Sequence, residues 1–184
     1  LSPLLEAPLF TNLKSIVLAH DVIPLRYPSY SFISLFYLTY VPIVLRQSKL
    51  ILCNSLSTAN DLHSFYKIPK RKLFPIKLGF NNDNYYPLKN ERENFFLIIG
   101  RHNPHKNLER VIKAFSYAKI KGYKLIFVGP FDKRHTPSLI KLIDEYNISH
   151  LCVWKGWIDD AEKLSLLNEC HALIIASLWE GFGL

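Results

Sequence analysis

The stretch FFLIIGRHNPHKNLERVIKAFSYAKIKGYKLIFVG, residues 95–129, decides the fold. FFLIIG (95–100) is a short apolar run closed by glycine, the pattern of a strand buried on both faces. In NLERVIKAFSYAKIKG (107–122), Leu108, Val111, Ile112, Phe115 and Ala118 fall on one helical stripe, and Gly122 is expected to end the helix. KLIFVG (124–129) then returns to a strand. A strand, a covering helix and a second two-faced strand make a parallel unit. Its loop RHNPHKN opens at the carboxyl end of the first strand, the edge at which open parallel sheets bind ligands.

The same alternation extends in both directions. Downstream, a helix is expected from Thr136 or Pro137 to Tyr146, a strand at LCVWKG (151–156), a helix from Asp159 to about Cys170 and a strand at ALIIA (172–176). Upstream, SIVLA (15–19), LILCN (50–54) and LFPIKL (73–78) read as strands, with an aromatic helical segment over 30–46 and a capped helix after Ser57. FNNDNYYPLKNEREN (80–94) is polar and has no apolar period. The expectation is therefore an α/β chain of two Rossmann-like domains, 1–80 and 95–184, joined by a linker at 81–94.

Hydrophobic residues make up 49 % and charged residues 21 % of the 184, which excludes a disordered chain. The net charge of +8 is uneven, +6 in residues 1–90 and +2 in 91–184, and a basic first half suits an anionic partner. Cys53, Cys152 and Cys170 sit in or beside apolar runs, the pattern of reduced buried thiols in a cytoplasmic protein rather than a disulfide frame. Tyr27 to Leu45 carries no formal charge over nineteen residues, long enough to cross a bilayer. Its two prolines and many hydroxyls argue for a packed helix, or one resting on a membrane face. The chain has no methionine, opens on Leu1 and ends at EGFGL before any helix could follow, so it reads as an internal piece truncated at both ends.

The strand ends carry the residues with chemistry. After FFLIIG, Arg101 and Lys106 flank a proline loop that opens a helix; two cations and free amides there suit a diphosphate, and two solvated cations are the plain alternative. His102 and His105 have the spacing of a metal pair, but Pro104 breaks the helical geometry, so no metal is expected. After SIVLA, His20 and Asp21 form either a proton-handling pair or an aspartate-capped turn. In SLWEGFGL (177–184), Glu180 precedes two glycines whose amides allow close approach of a ligand.

In order, HDVIPLRYP, CNSLSTANDL, IKLGFNNDNYYP, IIGRHNPHKNLERVIKAF, VGPFDKRHTPSL and SLWEGFGL resemble the retaining GT-B glycosyltransferases of family four, a group with many bacterial mannosyl- and glucosyltransferases of cell-surface polysaccharides. The resemblance implies a nucleotide-diphosphate sugar donor, a saccharide or lipid-linked acceptor, and no metal or other cofactor. It implies that Arg101 and Lys106 bind the donor's diphosphate and that Glu180 lies close to the donor sugar. Gly181, Phe182 and Gly183 would offer backbone contacts, and His20 would face the sugar from the first domain. Trp157 and Ile158 fall in the loop that lines the base pocket. The family's second acid would lie four residues past Leu184, and its glycine-rich loop near the start is missing. The chain by itself is therefore expected to transfer no sugar. A non-catalytic nucleotide-sugar-binding piece is the other reading; a nucleic-acid binder has the charge but no recognisable module.

Overall fold

The computed structural model describes residues 14–28, 32–79 and 85–183. The chain divides into two units, Leu1–Gly79 with Trp179–Leu184, and Phe80–Leu178.

In the first unit, β1 (Ile16–Ala19) leads into a short helical turn, α1 (Ile23–Arg26). Then come α2 (Phe32–Gln47), β2 (Leu50–Cys53), α3 (Leu56–Tyr66) and β3 (Leu73–Pro75). The strands are parallel in the order β1-β2-β3, with Val17 opposite Ile51 and Ile51 opposite Leu73. The two-residue period turns Val17, Ala19, Ile51 and Cys53 into one core with Val41, Val44 and Leu45 of α2 and Leu62 and Tyr66 of α3. Pro42 lies inside α2 and cannot donate to the turn before it, yet the helix runs on because that stretch is buried. One turn earlier, the Tyr37 carbonyl accepts from the Tyr66 hydroxyl at 2.5 Å, tying α2 to α3. The cap of α3 is Ser55 rather than Ser57: its Oγ accepts from the Thr58 amide at 3.0 Å. The strand expected over 73–78 covers Leu73–Pro75 alone, because β3 is an edge with one neighbour and Phe74 already faces outward. Among the described residues no helix is long and apolar enough to cross a membrane.

The second unit holds β4 (Phe95–Ile99), α4 (Leu108–Ala118), β5 (Lys124–Val128), α5 (Thr136–Glu145), β6 (Cys152–Lys155), α6 (Asp160–Glu169) and β7 (Ala172–Leu173). Its sheet is parallel in the order β6-β5-β4-β7, with Leu97 opposite Ile126 and Leu173. Alternate residues feed two cores. Ile98, Leu125 and Phe127 pack with Leu108, Ile112 and Phe115 of α4 and Leu139 and Ile143 of α5. Phe95, Leu97, Ile126 and Val128 pack with Leu166 of α6 on the other face. This is why these strands are apolar throughout rather than alternating.

Helix α4 stops earlier than Gly122: Lys119 takes the left-handed conformation at φ 47° and caps it, while Gly122, at φ 76°, serves the turn into β5. Strand β7 is two residues long where five were expected, since its pairing to β4 ends at Leu173 and Ile175 is exposed. Residues 80–84 of the polar segment lie outside the described residues. Beyond them the chain runs along α6, where the Leu88 amide donates to Asn168 Oδ1 at 2.8 Å and Asn90 Nδ2 to Glu169 at 2.9 Å. Among the described residues the three cysteines form no disulfide, and burial pushes the Cys53 and Cys152 thiols up to about 11, as for inert core thiols.

Gly129 follows β5 at φ 147°, and a Cβ there would lie 2.0 Å from the Gly100 carbonyl oxygen. A Gly129→Ala variant should lose about 1–3 kcal/mol or more, as for an overpacked site. Urea denaturation of the two proteins measures it; equal midpoints would show that the two strand ends separate freely.

Candidate active site

The order β6-β5-β4-β7 places the topological switch at β4, whose carboxyl end lies between those of β5 and β7. That is the position at which a crevice opens in a parallel sheet. Gly100 leaves β4 at φ 142°, and its carbonyl meets Gly129 with no side chain between. The Gly129 amide in turn donates to the carbonyls of Lys155 at 3.1 Å and Gly156 at 3.2 Å, so the ends of β4, β5 and β6 are tied together.

From that fixed point the predicted diphosphate loop departs. Arg101 is exposed and Lys106 half-buried. A Cβ built on Gly100 would lie 3.4 Å from Lys106 Cε and 3.7 Å from its Nζ, so the lysine folds back over the strand end at Gly100. A 3-10 turn, Pro104–Lys106, delivers it there, closed by the Lys106 amide on the Asn103 carbonyl at 2.9 Å. Asn107 then adopts φ 58° and opens α4. Its Nδ2 donates to the Ala176 carbonyl at 3.1 Å, and the Leu178 amide donates to the His105 carbonyl at 2.7 Å. The chain leaving β7 is therefore stitched to the cationic loop. Sequence reasoning did not single out Asn107, although a polar residue directly before an apolar helical stripe is a recognisable start signal.

The two histidines of the loop are both buried. His102 is 4 % exposed and shares a 2.8 Å hydrogen bond with Thr136 Oγ1, which also accepts from the Asp132 amide at 2.9 Å. Its ring stands edge-on to Trp154, which stacks on Phe127. Desolvation holds the His102 imidazole below its usual pKa, and the nearby Asp132 carboxylate only partly offsets this. Among the described residues no group of three or more His, Cys, Asp and Glu side chains is arranged to hold a metal. Between the starts of α4 and α5, a cavity of about 330 Å³ is lined by His102, Asn103, Asn107, Arg110, His135 and Ser138.

Trp157 and Ile158 follow β6 and part ways. Trp157 is 81 % exposed, whereas Ile158 packs against the α6 core. Their strand is separated from β4 by β5.

The other candidates lie in the first unit. His20 follows β1; its carbonyl accepts from Thr58 Oγ1 at 3.2 Å, and Asp21 Oδ1 accepts from the Ile23 amide at 2.9 Å. Asp21 thus caps the turn α1, as the capped-turn alternative requires. Gly181 is wedged onto this loop: a Cβ there would lie 2.3 Å from the His20 carbonyl oxygen and 3.0 Å from Asp21 Cβ. Glu180 is half-buried beside it, Phe182 is exposed and Gly183 has φ 87°. So Arg101 and Lys106 lie on one loop of the second unit, and in the first Gly181 lies against the His20 carbonyl.

Parallel sheets covered by helices define the Rossmann-like α/β class of fold. A family model described as glycosyl transferases group 1 matches residues 82–184. The chain belongs to that family. It is 27 % identical over 96 % of its length to the O-antigen chain mannosyltransferase RfbU of Salmonella typhimurium, and 23 % identical over 93 % to the serotype-specific mannosyltransferase WbdA of Escherichia coli. It spans about half of the first relative (49 %) and 23 % of the second. Among solved structures, sucrose-phosphate synthase of Thermosynechococcus elongatus matches 95 % of this chain and 47 % of its own, at TM-score 0.77 and 20 % identity. Anabaena HepE in complex with UDP and glucose matches 91 % of this chain and 48 % of its own, at TM-score 0.75 and 16 % identity. The fold is that of GT-B glycosyltransferases, with domains represented in part.

The direction of the His102 shift sets a pH dependence. Its folded pKa lies below the unfolded value of 6.5, so the unfolded chain takes up the proton first. The His102 contribution to stability is complete above pH 6.5 and is lost as pH falls through the window below it. His102→Gln should flatten that part of the stability–pH curve relative to the parent. Two parallel curves between pH 7 and 5 would refute the assignment.

Proposed function

We propose that this chain carries donor-site residues of a retaining hexosyltransferase, one that moves a sugar from a nucleotide-diphosphate donor to an acceptor hydroxyl in polysaccharide or glycolipid synthesis. The observation that carries the reading is the Arg101–Lys106 loop at the switch point of a sheet belonging to the glycosyl transferases group 1 family. An acceptor oxygen bonds to the anomeric carbon on the face from which the leaving group departs, so the configuration is retained. The bond from that carbon to the β-phosphate oxygen breaks, its electron pair leaves with the diphosphate, and the acceptor's proton is released. Arg101 and Lys106 stabilise the charge that grows on the diphosphate, and need no metal to do so. Trp157 offers an exposed indole to the base, while Ile158, packed in the core, sets its position. His20, Glu180 and the amides of Gly181, Phe182 and Gly183 act at the sugar. A hexose of the mannose type is the first donor to test, since RfbU and WbdA are mannosyltransferases.

Lys106→Ala should weaken the protein's binding of nucleoside diphosphate by roughly 1.5–3 kcal/mol, the range for a hydrogen bond to a charged group. In a chain extended to the length of its relatives, His20→Ala should bind it normally and lose kcat. Calorimetry and transfer assays on both variants decide this; an unchanged Kd for Lys106→Ala would make the loop ordinary surface.

A lipid-linked acceptor would be met at the membrane, and α2 has a face suited to it. Phe32, 91 % exposed, leads a stripe with Leu35 and Ile43 that ends at Arg46. The 3-10 turn Lys70–Lys72 adds basic residues at that end, where Lys72 Nζ donates to the Arg46 and Ser48 carbonyls. Apolar exposure beside basic charge fits the surface of an anionic bilayer. Phe32→Ser with Leu35→Ser should cut sedimentation with phosphatidylglycerol vesicles severalfold and leave nucleoside diphosphate binding unchanged. Equal sedimentation would remove α2 from the reading.

A further inference from the structure

We propose that Asp61, Arg26 and Trp179 form a positioning stack that pins the Trp179–Gly183 segment onto the loop bearing His20, an inference that rests on reading Glu180 and His20 as sugar-site residues. All three side chains belong to the first unit. Asp61, on α3, has a side chain 3 % exposed, and a carboxylate so placed is costly unless it is paired. Arg26, the last residue of α1, supplies the pair as a fork: Nε donates to Oδ2 at 3.1 Å and Nη2 to Oδ1 at 2.5 Å. Bidentate pairing fixes the plane of the guanidinium and leaves its faces to aromatic rings. The Trp179 ring centroid lies 3.6 Å from the Arg26 Cζ, and that of Phe65 lies 5.6 Å away.

Trp179 Nε1 is buried and, among the described residues, has no hydrogen-bond partner. The indole is thus anchored through its face rather than through its N–H. Two residues further on, Gly181 lies against the His20 carbonyl and Asp21, and a Cβ there would also lie 3.3 Å from Asn54 Nδ2. Glu180 is therefore held from both sides, by a cation–π contact before it and a glycine wedge after it. Arg26 acts through Trp179 and is a positioning residue. Lysine would not replace it, because an ammonium lacks the planar fork that fixes both the carboxylate and the ring.

The test uses hydrogen exchange of the peptide covering 178–183 together with transfer kinetics. Arg26→Gln leaves Asp61 buried without its partner and could unfold the unit, so Trp179→Leu, which keeps the ion pair, is the deciding variant. It should speed exchange of that peptide by roughly tenfold or more, the worth of a desolvated cation–π contact read as a local opening constant. Peptides from β1, β2 and the second unit should exchange as in the parent. In a chain extended to the length of its relatives, kcat should fall while the Kd for nucleoside diphosphate holds, and Trp179→Phe, which keeps an aromatic face, should restore both exchange and kcat. Unchanged exchange in Trp179→Leu overturns the stack, and faster exchange with unchanged kcat overturns its positioning role. If the chain extended to the length of its relatives transfers no sugar, the proposed function fails, and the exchange result alone upholds or overturns the stack.

Discussion

Much of the second unit depends on one contact, the approach of Gly129 to the carbonyl of Gly100. No other residue has room there, because a Cβ would stand 2.0 Å from that oxygen. With both positions free of side chains, the ends of β4 and β5 close on each other, and the Gly129 amide reaches the end of β6. Three parallel strands then end on one level. The loop from Arg101 to Lys106 leaves that edge with its start fixed, and the 3-10 turn at its end brings the lysine back over Gly100. Two cations on a floppy loop would be ordinary surface. A lysine held over a rigid edge is what the proposed binding of a doubly charged group would use.

The rigidity is supplied mostly by groups that do no chemistry. His102 is a polar residue in a nearly closed place, made tolerable by Thr136, whose hydroxyl serves both the imidazole and the Asp132 amide. Asn107 and the His105 carbonyl anchor the chain after β7. In the first unit the same logic recurs around Asp61: one buried carboxylate demands one arginine, and the arginine then offers a face to Trp179. In the first unit the buried carboxylate is fully paired, while in the second His102 is paired at Nδ1 only and its buried Nε2 has no partner among the described residues.

The strands and most helices were legible because their signals are local. FFLIIG and KLIFVG are apolar on both faces, and the stripe Leu108–Val111–Ile112–Phe115 has a helical period that survives in the structure. Ends were read less well. Gly122 looked like the stop of α4, yet Lys119 caps it, since a single residue in the left-handed region can end a helix without being glycine. ALIIA looked like a full strand, but its ladder ends at Leu173 although β4 runs on to Ile99, because the chain beyond is drawn to the loop, where Ala176 and Leu178 bond Asn107 and His105. The place of Arg101 and Lys106 on a loop after a strand was visible in the sequence. Arg26 carried no such signal, because its partners lie 35 and 153 positions away.

By itself the sequence determined the class of fold, the parallel order of strand and helix within each block, and which strand ends carry polar residues. These follow from hydrophobic period and from the chirality of the chain, which act over a few residues at a time. Tertiary structure alone decided that Lys106 turns back over Gly100, that Asp21 caps a turn, that Ile158 is core while Trp157 is surface, and that Trp179–Leu184 belongs with the first unit. Those outcomes depend on distances between segments far apart in the chain, where the room left for a Cβ or the need to pair a buried charge overrides any local preference.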